Sequence, residues 1–265
     1  MSRELMGALI GLGGAIFGVL GAGVISIWTV RQSQATASAD EFRDVLQSLV
    51  DLRIQTNTVF REHSDDAATR EFLSGALNVK RQLHKATAAR ILDRAAGELT
   101  ANDLATLGFE YQNDSEFGQA MACYERALER TGESRLERVN VLRSLGGLLL
   151  LPTPLHDRTT GEGYFREAIG LTNGQPDDYS RYTTGYTYEM LGMGLLMHRY
   201  PEGRAALDAA RENYEAMAPA NFLRQAALAS LDLRRGQAGL AVPLPPAKPP
   251  PNPTDAAALG RGATD

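Results

Sequence analysis

The first apolar segment of the chain, residues 5–30, carries no charged side chain. A helix rises about 1.5 Å per residue, so roughly 20 apolar residues cross a hydrocarbon core about 30 Å thick. The apolar region of a cleaved secretory signal is shorter, about 7–15 residues. The segment therefore predicts a transmembrane anchor. Small residues at positions 35–37 resemble a signal cleavage site and leave a cleaved signal as the alternative.

Four glycines in this segment recur every three or four residues: Gly7, Gly11, Gly14 and Gly18. Small residues at this spacing give a membrane helix a smooth face, against which a second helix packs closely. The pattern predicts self-association of the anchor. The alternative is that glycine is simply frequent in membrane helices.

Two helical patterns follow the anchor within residues 39–100. The first has steps of three and four, which is the spacing of a coiled-coil seam. It predicts either a short coiled coil or, as we favour, an amphipathic helix packed on its own domain. Its members are Phe42, Val45, Leu49, Leu52, Thr56, Val59 and His63.

The second pattern runs from Phe72 to Leu99, with Asp65 and Asp66 as candidate N-caps and Gly97 near its end. Helical spacing continues downstream, and no segment alternates between apolar and polar residues as a strand does. The sequence therefore predicts an all-α protein. We divide it into an anchor with a polar stretch (1–38), a helical region or degenerate hairpin (39–100), a repeat array with a capping helix (101–238) and a tail (239–265).

The strongest motif lies between Leu104 and Glu133 and has small and aromatic residues at fixed offsets. Its members are Leu107, Gly108, Tyr111, Ala120, Tyr124 and Ala127. This segment resembles the tetratricopeptide repeat of bacterial-type proteins, a helix–turn–helix unit of about 34 residues. The first tryptophan of the family pattern is replaced by Leu104, and its closing proline by Gly132.

Two weaker units follow, so the sequence predicts about three degenerate repeats. Gly146 begins the second unit, and Phe165 and Ala168 fit its second helix, after a turn lengthened by residues 151–160. Gly192 begins the third unit. We place Ala205, Ala209 and Tyr214 on its second helix, and residues 222–235 as a capping helix.

The resemblance implies a groove that binds an extended peptide or a helix and is lined by the first helix of each repeat. In the first unit it assigns Asn102, Phe109, Gln112 and Asn113 to that groove. Family members that clamp a terminal carboxylate carry Lys and Asn where this chain has Ala105 and Phe109. This departure argues against a carboxylate clamp.

Charge and composition limit the classes of partner that we expect for this chain. The net charge is −5 and the basic residues are dispersed, whereas nucleic-acid binding requires a concentrated basic face. The single cysteine, Cys123, excludes an internal disulfide. The tail contains the run PLPPAKPPPNP, which is typical of an extended disordered chain and also offers PxxP spacing to a proline-reading domain.

No sequence motif indicates catalysis, a cofactor or a metal site, since the four histidines lack ligand spacing. We expect a non-enzymatic, single-pass protein of the cell membrane that contacts lipid through its anchor and binds a protein partner. Charges flanking the anchor give a small preference for a cytoplasmic domain. The alternatives are a self-oligomerising structural membrane protein and a helical sensor or enzyme with a site assembled in space.

Overall fold

The computed structural model describes residues 34–240, with side chains through residue 236. The predicted anchor, with Gly7, Gly11, Gly14 and Gly18, and the proline-rich run of the tail lie outside the described residues. Among the helices of the described part, none is both long enough and apolar enough to cross a bilayer.

Between residues 34 and 240 the chain forms nine α-helices and no strand, which confirms the all-α prediction. The first helix, α1, covers residues 34–62 of the described chain. The others are α2 (Ala67–Ala95), α3 (Ala101–Asn113), α4 (Phe117–Arg130), α5 (Arg135–Leu149), α6 (Arg158–Thr172), α7 (Asp178–Met197), α8 (Glu202–Glu215) and α9 (Phe222–Leu240).

Polar side chains define where several of these helices begin. Asp66 caps α2 as predicted, since its carboxylate accepts a hydrogen bond from the backbone N–H of Thr69 at 3.0 Å. Thr100 and Asp103 form a reciprocal capping box at the start of α3. Such caps satisfy backbone N–H groups that have no partner inside the helix, and each contributes about 1 kcal/mol.

The chain divides into two compact units within α5, after Ser144. The first unit contains α1–α4 and the first part of α5. Its core includes Phe42, Leu49, Ile91 and Tyr124, each with no more than a trace of exposed surface. Burying side chains of this size stabilises the fold by about 1.5–3 kcal/mol each.

The second unit contains the end of α5 and helices α6–α9. Helix α7 packs against α6, α8 and α9. Its core includes Leu207, Ala210, Tyr214 and Leu231 from α8 and α9. Leu231 is fully buried, so α9 covers apolar surface that α7 and α8 would otherwise expose.

Close contacts at glycine join successive helices, as three examples show. A Cβ built on Gly108 of α3 would lie 2.7 Å from the ring of Tyr124 on α4. A Cβ on Gly146 would lie 2.7 Å from Phe165 of α6, and one on Gly192 would lie 2.7 Å from Leu207 of α8. Real Cβ atoms do not approach this closely, so glycine is what lets each pair of helices meet.

Ala205, Ala209 and Tyr214, which the sequence places on the second helix of the third repeat about one residue out of register, all lie on α8. Ala205 is exposed and Ala209 is only half-buried, whereas Ala206 and Ala210 are buried. The reason is the glycine contact between α7 and α8, because Gly192 faces Gly203 and Leu207 and so sets which side of α8 turns inward. Tyr214 is fully buried.

Candidate interaction site on α3

Three of the predicted groove residues share one exposed face of α3. Asn102, Phe109 and Asn113 are separated by seven and then four residues, which places them in line along a helix. All three are exposed, and Phe109 keeps 43% of its surface in solvent. Aromatic side chains are enriched at protein interfaces, so the exposed phenyl ring between two amides makes this face a candidate contact surface.

The fourth predicted residue, Gln112, is oriented differently. It is half-buried, and its side-chain oxygen accepts a hydrogen bond of 2.9 Å from the hydroxyl of Tyr124. Gln112 therefore lies beside the exposed face and joins α3 to α4.

Helix α1 contributes a residue that the sequence did not assign to this face. The guanidinium carbon of Arg53 lies 4.7 Å above the centre of the Phe109 ring. Cations over aromatic faces are attracted to the negative ring surface, by about 0.5–1 kcal/mol at partly exposed sites. Arg53 thus fixes the orientation of the Phe109 ring at the edge of the surface.

A network of charged groups next to this face joins α3 to α1 and α2. The Glu110 carboxylate is fully buried and lies 3.1 Å from Arg53 of α1 and 3.3 Å from Arg81 of α2. Arg81 also lies 2.6 Å from Asp114. Three helices are therefore connected through a carboxylate of α3.

Lys85 of α2 extends the network and is only 3% exposed. Its ammonium lies 2.6 Å from Asp114 and also pairs with Glu116. The network as a whole contains three cations and three carboxylates, so its formal charges balance. They are Arg53, Arg81, Lys85, Glu110, Asp114 and Glu116.

Burial dominates the electrostatics of Glu110. Desolvation raises the pKa of its carboxyl above the ordinary range, while Arg53 and Arg81 act in the opposite direction. The contact with Arg53 is a charge contact and not an aligned hydrogen bond, because neither the Arg53 Nη1 nor the Glu110 Oε1 atom has a hydrogen-bond partner. Removing one member would leave the others buried without compensation.

Sequence reasoning missed this network because its members come from three helices with no common spacing. One signal was present. Lys85 stands on the side of α2 that also carries Ala88 and Ile91, both fully buried. A lysine on an apolar helix face is rarely buried without an acidic partner.

The second unit has a related polar cluster. The carboxylate of Glu189, which is 2% exposed, accepts a hydrogen bond of 2.8 Å from the Tyr214 hydroxyl and lies 3.1 Å from Arg234 of α9. The rings of His156 and His198 stack with their centres 3.9 Å apart, and His198 hydrogen-bonds to the Leu150 carbonyl at 2.8 Å. These contacts join helices and loops within that unit.

Cys123 is buried, and burial raises the pKa of its thiol to about 11, so it remains protonated near neutral pH. Within the described part of the chain, no three His, Cys, Asp or Glu side chains are grouped so that they could hold a metal ion. The α3 face offers an apolar ring and two amides for contact, and ion pairs of Glu110 join the helix beneath it to α1 and α2.

Comparison of the chain with protein-family models, curated proteins and solved structures finds no match.

Proposed function

We propose that this chain is a membrane-anchored scaffold that binds a peptide or helix of another protein on the exposed face of α3. The observation that carries the proposal is Phe109, which is partly exposed between Asn102 and Asn113 and oriented by Arg53. An apolar side chain of the partner would cover the ring, and the two amides would bond its backbone or polar groups.

The rigidity of the α3 face favours binding. Glu110 is held by Arg53 and Arg81, so α3 is fixed to α1 and α2 before a partner arrives. A surface that is already ordered loses little conformational entropy on binding, which leaves more of the contact energy for affinity.

A tetratricopeptide-like array of about three degenerate units is the architecture that we propose around this face. The glycine contacts of Gly108, Gly146 and Gly192 support it, because each joins the two helices of one predicted unit. In the second predicted repeat, Asn140 and Arg143 stand at the same positions relative to Gly146 as Asn102 and Ala105 do relative to Gly108. Asn140 is exposed and hydrogen-bonds with Arg143, so it repeats the exposed asparagine of α3.

The predicted anchor would place this array at a membrane surface, and we propose the cytoplasmic side. Single-pass anchoring concentrates a binding domain where its partner is also held, without any additional contact between them. The proposal assigns no catalytic step to the chain.

Site-specific photocrosslinking in membranes tests the binding face. We expect a photoreactive residue at position 109 to capture a defined protein, and one at position 125 on α4 to capture much less. Glu125 is also exposed, so it controls for general surface labelling. When the photoreactive residue stays at position 109, the added substitutions Asn102→Ala and Asn113→Ala should reduce capture of that protein. Equal capture at both positions would overturn the proposal.

Fractionation and protease protection test the anchor. The full chain should remain with membranes in alkaline carbonate, and protease added to intact cells should leave the helical domain uncut. Release by carbonate would contradict the membrane anchor, and cleavage in intact cells would contradict the cytoplasmic orientation.

A further inference from the structure

Helix α2 carries a stripe of apolar residues on its solvent side. Its members are separated by four, three, four and three residues, which is the spacing of a coiled-coil seam. Every member is exposed, and the three large ones keep 75%, 70% and 68% of their surface in solvent. In chain order they are Phe72, Ala76, Val79, Leu83 and Ala86.

An apolar groove lies beside this stripe, between α1 and α2. It encloses about 430 Å³ and is lined by Ile54 and Val59 of α1 and by Leu73, Ala76 and Leu77 of α2. Ala76 belongs to both the groove and the stripe, so the two form one continuous apolar surface. Ile54 adds a further side chain that is 56% exposed.

The size of this surface suits a stable dimer. Complete burial of Ile54, Phe72, Val79 and Leu83 would remove roughly 450 Å² of side-chain surface from water in each copy. The groove walls and the two alanines add to this area. A specific interface is expected to bury at least about 500 Å² per partner, and the four side chains together with the groove walls and the two alanines reach that size.

The order of large and small residues makes the stripe complementary to itself. When two copies of α2 are laid antiparallel with Val79 opposite Val79, Phe72 faces Ala86 and Leu83 faces Gly75, next to Ala76. On either side of this central pair, Phe72 and Leu83 each meet a small residue, which is how facing helices interdigitate. We propose that a second copy of this chain docks on the α2 stripe about a two-fold axis at Val79.

Disulfide trapping of the full chain in mild detergent tests the proposal. In a Cys123→Ala background, Val79→Cys should form a disulfide-linked dimer under mild oxidation. The matched control is Leu233→Cys on α9, which replaces an apolar residue that is 65% exposed and should cross-link at least tenfold less. Adding Leu83→Lys to Val79→Cys should lower dimer formation roughly a hundredfold, because each copy loses a large apolar contact and gains a charge.

A second measurement separates this surface from the predicted anchor. Sedimentation of the chain with Gly11→Leu and Gly18→Leu should still show a dimer that Leu83→Lys dissociates. A chain that is monomeric in this background would overturn the proposal, as would equal cross-linking at positions 79 and 233. Capture of a different protein at position 79 while the chain stays monomeric would assign the stripe to that partner and also overturn it.

Discussion

Helices α1 and α2 carry apolar stripes of the same spacing but turn them toward opposite environments. On α1, Phe42 and Leu49 are fully buried, and every member of the predicted seam is at least half-buried. On α2, the side that faces α3 buries Lys85, while Phe72 and Leu83 face solvent. Helix α1 therefore buries its apolar stripe, whereas α2 buries a lysine and leaves its apolar stripe in solvent.

This difference shows that a helix face is selected by what the neighbouring element offers. Helix α3 presents Leu107, which is fully buried, but its C-terminal end presents Glu110 and Asp114. Desolvated carboxylates require cations close by, so the adjacent face of α2 supplies Arg81 and Lys85. The apolar stripe of α2 is consequently left on the other side.

Exchanging the two phenylalanines for alanine should give the largest contrast. Phe42→Ala removes a fully buried ring and leaves a cavity, so we expect a loss of about 3–5 kcal/mol in the free energy of unfolding. Phe72→Ala removes a ring that is 75% exposed, and should change stability by less than about 0.5 kcal/mol. Denaturant unfolding of the full chain, followed by circular dichroism, measures both.

Protein concentration sharpens this first test. If two copies pair through α2, the small effect of Phe72→Ala should grow as the protein concentration rises, because association stabilises the folded chain by mass action. The effect of Phe42→Ala should not depend on concentration. Similar losses for both variants in dilute solution would contradict the assignment of buried and exposed stripes.

The next contrast lies two residues apart on α2. Lys85→Met keeps the length of the side chain but leaves Asp114 and Glu116 without their ammonium partner, so we expect a loss of about 3 kcal/mol. Leu83→Ala should cost less than about 0.5 kcal/mol in the monomer. Adding Asp114→Asn to Lys85→Met should recover part of the loss, and no recovery would argue against a coupled ion pair.

The sequence predicted the helices better than it predicted their environments. Periodicity located the helical segments, and local chemistry located the Asp66 cap, because both depend on residues that are near one another in the chain. The resemblance assigned Asn102, Phe109 and Asn113 to one groove, and all three are exposed, but their role in binding stays a prediction. The ionic network escaped because Arg53, Arg81 and Glu110 meet only after three helices pack.

The α2 stripe and the register of α8 show the same limit. The pattern from Phe72 to Leu99 predicts a helix, but periodicity does not say which of its faces is buried. Ala205 and Ala206 are both alanines, so composition offers no way to choose between them. The contact of Gly192 with Gly203 makes that choice, and it exists only in the folded unit.

Alanine substitutions at two glycines should change the free energy of unfolding in opposite directions, by smaller amounts than Phe42→Ala and Lys85→Met. A Cβ at position 108 would lie 2.7 Å from the Tyr124 ring, so Gly108→Ala should cost about 1–3 kcal/mol by overpacking. Position 75 lies on α2 with no atom within 4 Å of an added Cβ, and Gly75→Ala should gain about 0.5–1 kcal/mol of helix stability. Thermal unfolding of the two variants compares them. Equal shifts would mean that α3 and α4 do not meet closely at Gly108.

The smallest contrast concerns a thiol on the inward side of α4. Burial raises the pKa of Cys123 from 9.0 to about 11, so its protonated form stabilises the fold fully below pH 9, and this contribution is lost as the pH rises through 11. At pH 10 the free energy of unfolding should be lower by about 1.4 kcal/mol for this reason, and Cys123→Ala should reduce the decline of stability at alkaline pH by that amount.

Alkylation by iodoacetamide at pH 8 tests the same burial. Cys123 should react at least a hundredfold more slowly than the thiol of Glu125→Cys in a Cys123→Ala chain, because position 125 is exposed on the same helix. Comparable rates would show that the inward face of α4 opens to solvent, and the assignment of buried and exposed surfaces in the first compact unit would then be wrong.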